Sequence, residues 1–225
     1  MKAMREDPRE LERPLLIMSG WMDIGLTLHT LKSPFERAFG KEQILGFVFP
    51  GAHSFDHCRT KVIRNLDERF PSAHPGETVA VDVVAFSMGG LVARYAALHQ
   101  PGLQRLRIKR LFTISTPHQG AQLAGVPHWD RRVLDMRRGS SFLTQLDQAL
   151  PESDYELKCY VRLGDTLVGS QNAAPKGYPL WWIRNRGVDL PHVGAAGDPC
   201  ILTDIMRRLR NEPALSTAKP IPLPR

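Results

Sequence analysis

The stretch Val83-Val84-Ala85-Phe86-Ser87-Met88-Gly89-Gly90-Leu91-Val92 decides how this chain folds. Its apolar start reads as the end of a buried strand, and its last residues open a helix. Between them a serine stands at the apex of a sharp turn. This is the pattern of a nucleophile elbow, in which strained backbone lifts the serine hydroxyl above the sheet. Ala85 and Gly89 flank Ser87 because a larger side chain would collide with the neighbouring strand and helix. A serine hydroxyl is a poor nucleophile at neutral pH, so the elbow implies chemistry only if a base and an orienting acid accompany it.

Outward from the elbow, strand-like runs alternate with amphipathic stretches. Leu15–Met18, Ile44–Phe49, Val79–Phe86, Ile108–Ser115, Leu157–Leu163 and Leu180–Ile183 read as strands. Helices are expected over Asp23–Phe39, Asp56–Phe70, Leu91–Gln100 and Ile201–Leu209. Val62, Ile63, Leu66 and Phe70 give the second of these an apolar face at 3–4 residue spacing. Pro101-Gly102 stops the third. Such alternation predicts an α/β fold with a mainly parallel sheet of about six strands and helices on both faces. Asp82 interrupts an apolar run, which places it near the start of its strand.

The expected organisation is a flexible N-terminus over 1–13, one domain over 14–212 and a proline-rich tail over 213–225. Within the domain, residues 121–156 exceed a simple strand-to-helix connection, and they carry Trp129, Met136, Phe142 and Leu146. Such an insertion is expected to cap the site and help select its ligand; a fixed packing helix is the alternative.

In parallel sheets, reactive groups gather at the carboxyl ends of the strands. Ser87 ends one strand, Asp165 directly follows another, and His192 lies in the loop after the last. Their chain order of serine, acid and histidine is that of an α/β-hydrolase triad. Other candidates fit less well. Asp189 and Asp198 are also late in the chain, but neither directly follows a strand. Among the other histidines, His53, His57, His99 and His128 do not follow the last strand, and His118 is expected to order its own loop. His53 and His57, four residues apart, could share a helix face, but no further ligand is evident for a closed metal site. Asp56 reads as a helix-start residue. Cys58 has neither an elbow nor an oriented base.

Three passages resemble the small bacterial lipases and esterases of the α/β-hydrolase superfamily. Ala85-Phe86-Ser87-Met88-Gly89-Gly90-Leu91-Val92-Ala93-Arg94-Tyr95 is similar to their elbow, in its Ala-x-Ser-x-Gly form. Thr113-Ile114-Ser115-Thr116-Pro117-His118-Gln119-Gly120 resembles their Thr-Pro-His-x-Gly segment one strand later. Met136-Arg137-Arg138-Gly139-Ser140-Ser141-Phe142-Leu143 resembles a segment further downstream. The resemblance covers roughly residues 14–210 and implies a minimal α/β-hydrolase core. It also implies a serine esterase with Ser87, His192 and Asp165 as triad, and the backbone N–H groups of Trp21 and Met88 as oxyanion hole. Those relatives carry His-Gly before the first donor; this chain carries Ser19-Gly20. A non-catalytic scaffold, and acyl transfer or thioester cleavage by the same triad, are the competing expectations.

Composition narrows the partners. The 225 residues carry a net charge of +7, but the basic residues are scattered without interleaved aromatics, so a solvated surface is expected and nucleic acid is not. A small ester or lipid is the expected substrate, with weak contact to an anionic membrane or lipid surface. No cofactor or metal is expected. No apolar run approaches the about 18 residues of a membrane span. The charged N-terminus lacks a secretory core, so a cytoplasmic location is expected. Cys58, Cys159 and Cys200 are odd in number and widely spaced, as free thiols would be.

Overall fold

The computed structural model describes residues 9–122, 130–185, 190–215 and 222–224. Along the chain these form β1 (Leu15–Met18), α1 (Leu26–Phe39), β2 (Ile44–Phe47), α2 (Phe55–Arg69), β3 (Val81–Phe86), α3 (Met88–Ala96) and β4 (Ile108–Ile114). There follow α4 (Arg131–Asp135), α5 (Ser141–Ala149), β5 (Glu156–Arg162), β6 (Leu180–Ile183), α6 (Pro191–Ala195) and α7 (Pro199–Leu209). The strands form one sheet in the order β2-β1-β3-β4-β5-β6, and every neighbouring pair is parallel.

Both faces of the sheet are buried, as continuous apolar strands require. Leu16, Met18, Val81, Val83 and Ala85 point into a core shared with α2, α3 and α5. Their alternates Leu15, Ile17, Val84 and Phe86 point into a second core against α1 and α7. Each such side chain removed from water contributes about 1.5–3 kcal/mol. Asp82 lies second in β3, where Arg13 and Arg110 pair with its fully buried carboxylate. Leu11 is also buried in the second core, so packing on the sheet begins before residue 14.

The strand order carries the functional consequence. The chain leaves β1 for β2 on one side and then for β3 on the other. The connections after β1 and β3 therefore diverge, and a crevice opens at their carboxyl ends, where ligands bind in folds of this type. Gly20 follows β1 and Ser87 follows β3.

Several elements differ from the sequence reading. α3 begins at Met88 rather than Leu91, because Gly89 and Gly90 are already helical. α1 begins at Leu26, and Asp23 caps it by accepting the N–H groups of Gly25, Thr27 and Leu28. α2 starts at Phe55 with Ser54 as its cap, and Asp56 instead accepts the Tyr95 hydroxyl at 2.6 Å. In the 121–156 segment, Met136, Phe142, Leu143 and Leu146 pack into the first core. Residues 123–129, which include His128 and Trp129, lie outside the described residues, as does Asp189.

Candidate active site

Ser87 sits at φ 53 and ψ −128 between β3 and α3, a conformation that costs a non-glycine residue about 1–3 kcal/mol. Its surroundings enforce it. The Ser87 N–H extends the sheet by donating to the Ile114 carbonyl at 2.9 Å. The Thr116 hydroxyl donates to the Ser87 carbonyl at 2.8 Å. A Cβ on Gly89 would stand 2.6 Å from the Ser19 carbonyl oxygen, and one on Gly90 would stand 2.2 Å from Thr116 Oγ1. Both glycines are therefore required by close approach, although they are poor helix formers.

His192 was expected in a loop; it lies instead in the first turn of α6. Pro191 at the start of that helix has the φ the helix needs. The imidazole rests on Phe86, with ring centroids 4.9 Å apart. Its Nε2 is 3.1 Å from Ser87 Oγ and its Nδ1 is 2.8 Å from Asp165 Oδ2.

Asp165 occupies a turn just past β5. Its Oδ1 accepts the N–H groups of Leu167 and Val168 at 3.1 and 3.0 Å, which leaves Oδ2 to face His192. Burial pushes its pKa up, but the hydrogen bonds from His192 and the Val168 N–H outweigh this and hold the carboxyl below its ordinary range. An ionised Asp165 accepts a hydrogen bond from Nδ1–H, so Nε2 is left as the acceptor for the serine hydroxyl.

The connection after β1 closes the other side. A Cβ on Gly20 would stand 3.0 Å from Ser87 Cβ and 3.4 Å from Oγ, so Ser19-Gly20-Trp21 runs directly beside the nucleophile. Trp21 follows Gly20 on this side of the site, and Met88 follows Ser87 on the other. Met88 also begins α3, where the helix dipole favours negative charge.

The rival candidates are placed elsewhere. His118 is fully buried, with Nδ1 facing Arg94 at 3.0 Å and Nε2 facing Thr113 Oγ1 at 3.0 Å. Asp198 caps α7 by accepting the Cys200 N–H at 2.9 Å. His53 and His57 have ring centroids 6.5 Å apart, and no group of three or more metal-ligating side chains exists among the described residues. Burial pushes the Cys58 thiol up to about 11, which makes it inert at neutral pH. Thr116 and Asp130 are functional neighbours that the sequence reading does not single out. Thr116 lies in the Thr-Pro-His segment, and Asp130 carries the signature of a helix cap; nothing local marks either as adjoining the elbow.

A family model described as a domain of unknown function, DUF7379, matches residues 54–158. No curated protein matches the chain by sequence. Solved structures match over nearly its whole length at low identity. A Bacillus licheniformis lipase, BlEst2, is 15% identical with a TM-score of 0.57, over 91% of this chain and 94% of the lipase. A gene product of Listeria innocua is 13% identical with a TM-score of 0.61, over 90% and 96%. A structure from work on carboxylesterases of the thaumarchaeon Nitrososphaera gargenis is 13% identical with a TM-score of 0.51, over 88% and 90%. The chain has the α/β-hydrolase fold, in its six-stranded form.

Proposed function

We propose that the protein is a serine hydrolase that cleaves carboxylic esters through an acyl-enzyme. The observation that carries this reading is the hydrogen-bonded chain from Ser87 through His192 to Asp165, at 3.1 and 2.8 Å, set at the crevice between β1 and β3. His192 Nε2 takes the proton from Ser87 Oγ as the oxygen attacks the ester carbonyl. Asp165 holds the imidazole in the required tautomer and stabilises the imidazolium. The N–H groups of Trp21 and Met88 stabilise the oxyanion; loss of one such donor typically costs about 10²–10³ in kcat. The imidazolium then protonates the leaving alcohol. Water, deprotonated by His192, attacks the acyl carbonyl and releases the acid.

Apolar ester or lipid substrates are supported by the rim of the site. Met22, Ile24, Leu167, Leu190 and Val193 are exposed, and each lies within four residues of Gly20, Asp165 or His192. No helix among the described residues is long and apolar enough to cross a membrane.

A panel of p-nitrophenyl esters from short to long acyl chains tests the reading. Turnover that disappears in Ser87→Ala supports it, and the profile defines the preferred chain. Equal turnover by wild type and Ser87→Ala, or none by either, overturns it.

A further inference from the structure

The indole of Trp21 donates Nε1–H to Asp130 Oδ2 at 2.7 Å. Asp130 stands at the start of α4 and spends every oxygen lone pair it can. Its Oδ2 also accepts Arg132 Nη2 at 2.7 Å, and its Oδ1 accepts the Arg132 backbone N–H and Nε, both at 3.0 Å. Arg132 in turn donates Nη1 to the Phe49 carbonyl at 3.1 Å. The two charged side chains are only 12% and 8% exposed, so the bonds form in a site where water competes weakly. One carboxylate thus ties the connection after β1 to the start of α4 and, through Arg132, to the connection after β2.

We infer that Asp130 is a positioning residue, acting through the Trp21 indole to fix the backbone N–H of Trp21 as an oxyanion donor. This rests on the proposed ester hydrolysis and specifies how its donor is held. The backbone that follows β1 needs holding. Met22 stands at φ 58, a left-handed conformation that a methionine rarely adopts. Downstream of it, the Asp23 carboxylate grips the N–H groups of Gly25, Thr27 and Leu28. Upstream, Gly20 packs against Ser87. Trp21 lies between these two anchors; its ring packs against the first core, and the Asp130 bond fixes the orientation of the indole. A donor acts on an oxyanion only if it is aimed before charge develops, within about 0.5 Å of the productive position. Releasing the indole lets the peptide of Trp21 rotate, and the donor is weakened where it matters: in the transition state, not in the bound ester.

This predicts a signature that general destabilisation does not give. Trp21→Phe keeps an aromatic ring against the first core and removes the N–H together with the pyrrole part of the indole. It should lower kcat for p-nitrophenyl acetate about tenfold, with KM within about twofold, as expected for an interaction made in the transition state. Asp130→Ala should have a similar effect, and the double variant should lose no more than either single. Asp130→Asn keeps an oxygen for the indole and should recover part of the rate. If Asp130→Ala fails to fold, Trp21→Phe and Asp130→Asn close the same cycle. Wild-type kcat in Trp21→Phe, or losses that multiply in the double variant, would overturn the inference while leaving the esterase reading intact. A wild type without Ser87-dependent turnover would overturn both.

Discussion

Among the described residues, two buried histidines have both ring nitrogens engaged, and their neighbours give them opposite characters. At the end of β4, His118 Nδ1 receives a hydrogen bond from the Arg94 guanidinium, and Nε2–H is spent on Thr113. Burial and the Arg94 charge hold its pKa well below the usual 6.5, so it stays neutral. At the start of α6, His192 Nδ1 faces a carboxylate, and Nε2 is turned to a hydroxyl. A proton arriving on His118 meets a cation; one arriving on His192 meets Asp165. Deep burial and a cation at Nδ1 make His118 structural, whereas a carboxylate at Nδ1 suits His192 to the proposed role of base.

The largest expected effects lie on the His192 side. Ser87→Ala should reduce ester turnover by about 10⁴-fold or more, measured with p-nitrophenyl acetate. Asp165→Asn places a neutral amide on Nδ1 and should cost about 10³–10⁴ in kcat, because it no longer selects the tautomer. His192→Gln should leave stability nearly unchanged while abolishing turnover. His118→Gln should do the reverse. Glutamine cannot serve Arg94 and Thr113 as the ring does, so chemical denaturation should show a loss of about 1–3 kcal/mol. Its kcat should stay within a few-fold of wild type. If His118→Gln lost turnover at unchanged stability, the contrast would break.

A smaller effect follows from proton linkage. Unfolded His118 takes up a proton as pH falls below about 6.5, whereas the folded residue resists it to a much lower pH. The unfolded state then binds more protons, so stability should fall with pH from about 6.5 downward, and this slope should flatten in His118→Gln. Asp165 adds a second loss at lower pH, below its ordinary 3.8, as its depressed carboxyl is finally protonated. Thermal unfolding between pH 7 and 5 tests the first window. The smallest effect concerns the segment expected to cap the site. Replacing Val126–Trp129 with a short Gly/Ser linker should shift the preference between short and long acyl esters with little change in stability. An unchanged profile would make that segment scaffolding.

Much of this was legible in the chain, for reasons visible in particular residues. The central strands are legible because β1, and β3 beyond Asp82, are buried on both faces and read as apolar runs. Ser87, Asp165 and His192 were selected by their places after strands, and the fold brings all three together. The helical turn around His192 was missed because a five-residue helix has too little periodicity to read, although Pro191 marks its start. α3 was begun too late because Gly89-Gly90 argue against helix by propensity, while tight packing on Ser19 and Thr116 demands them. The bond between Trp21 and Asp130 spans 109 residues of sequence; no local pattern encodes a pairing set by where two connections meet in space.

Every proposed role in the site depends on Ser87 being the activated nucleophile. Labelling with a fluorophosphonate, followed by peptide mass mapping, measures this directly. One adduct per chain on the peptide that carries Ser87, absent in Ser87→Ala and strongly slowed in His192→Gln but not in His118→Gln, is the predicted result. An adduct that persists in Ser87→Ala, or maps to another residue, would contradict it.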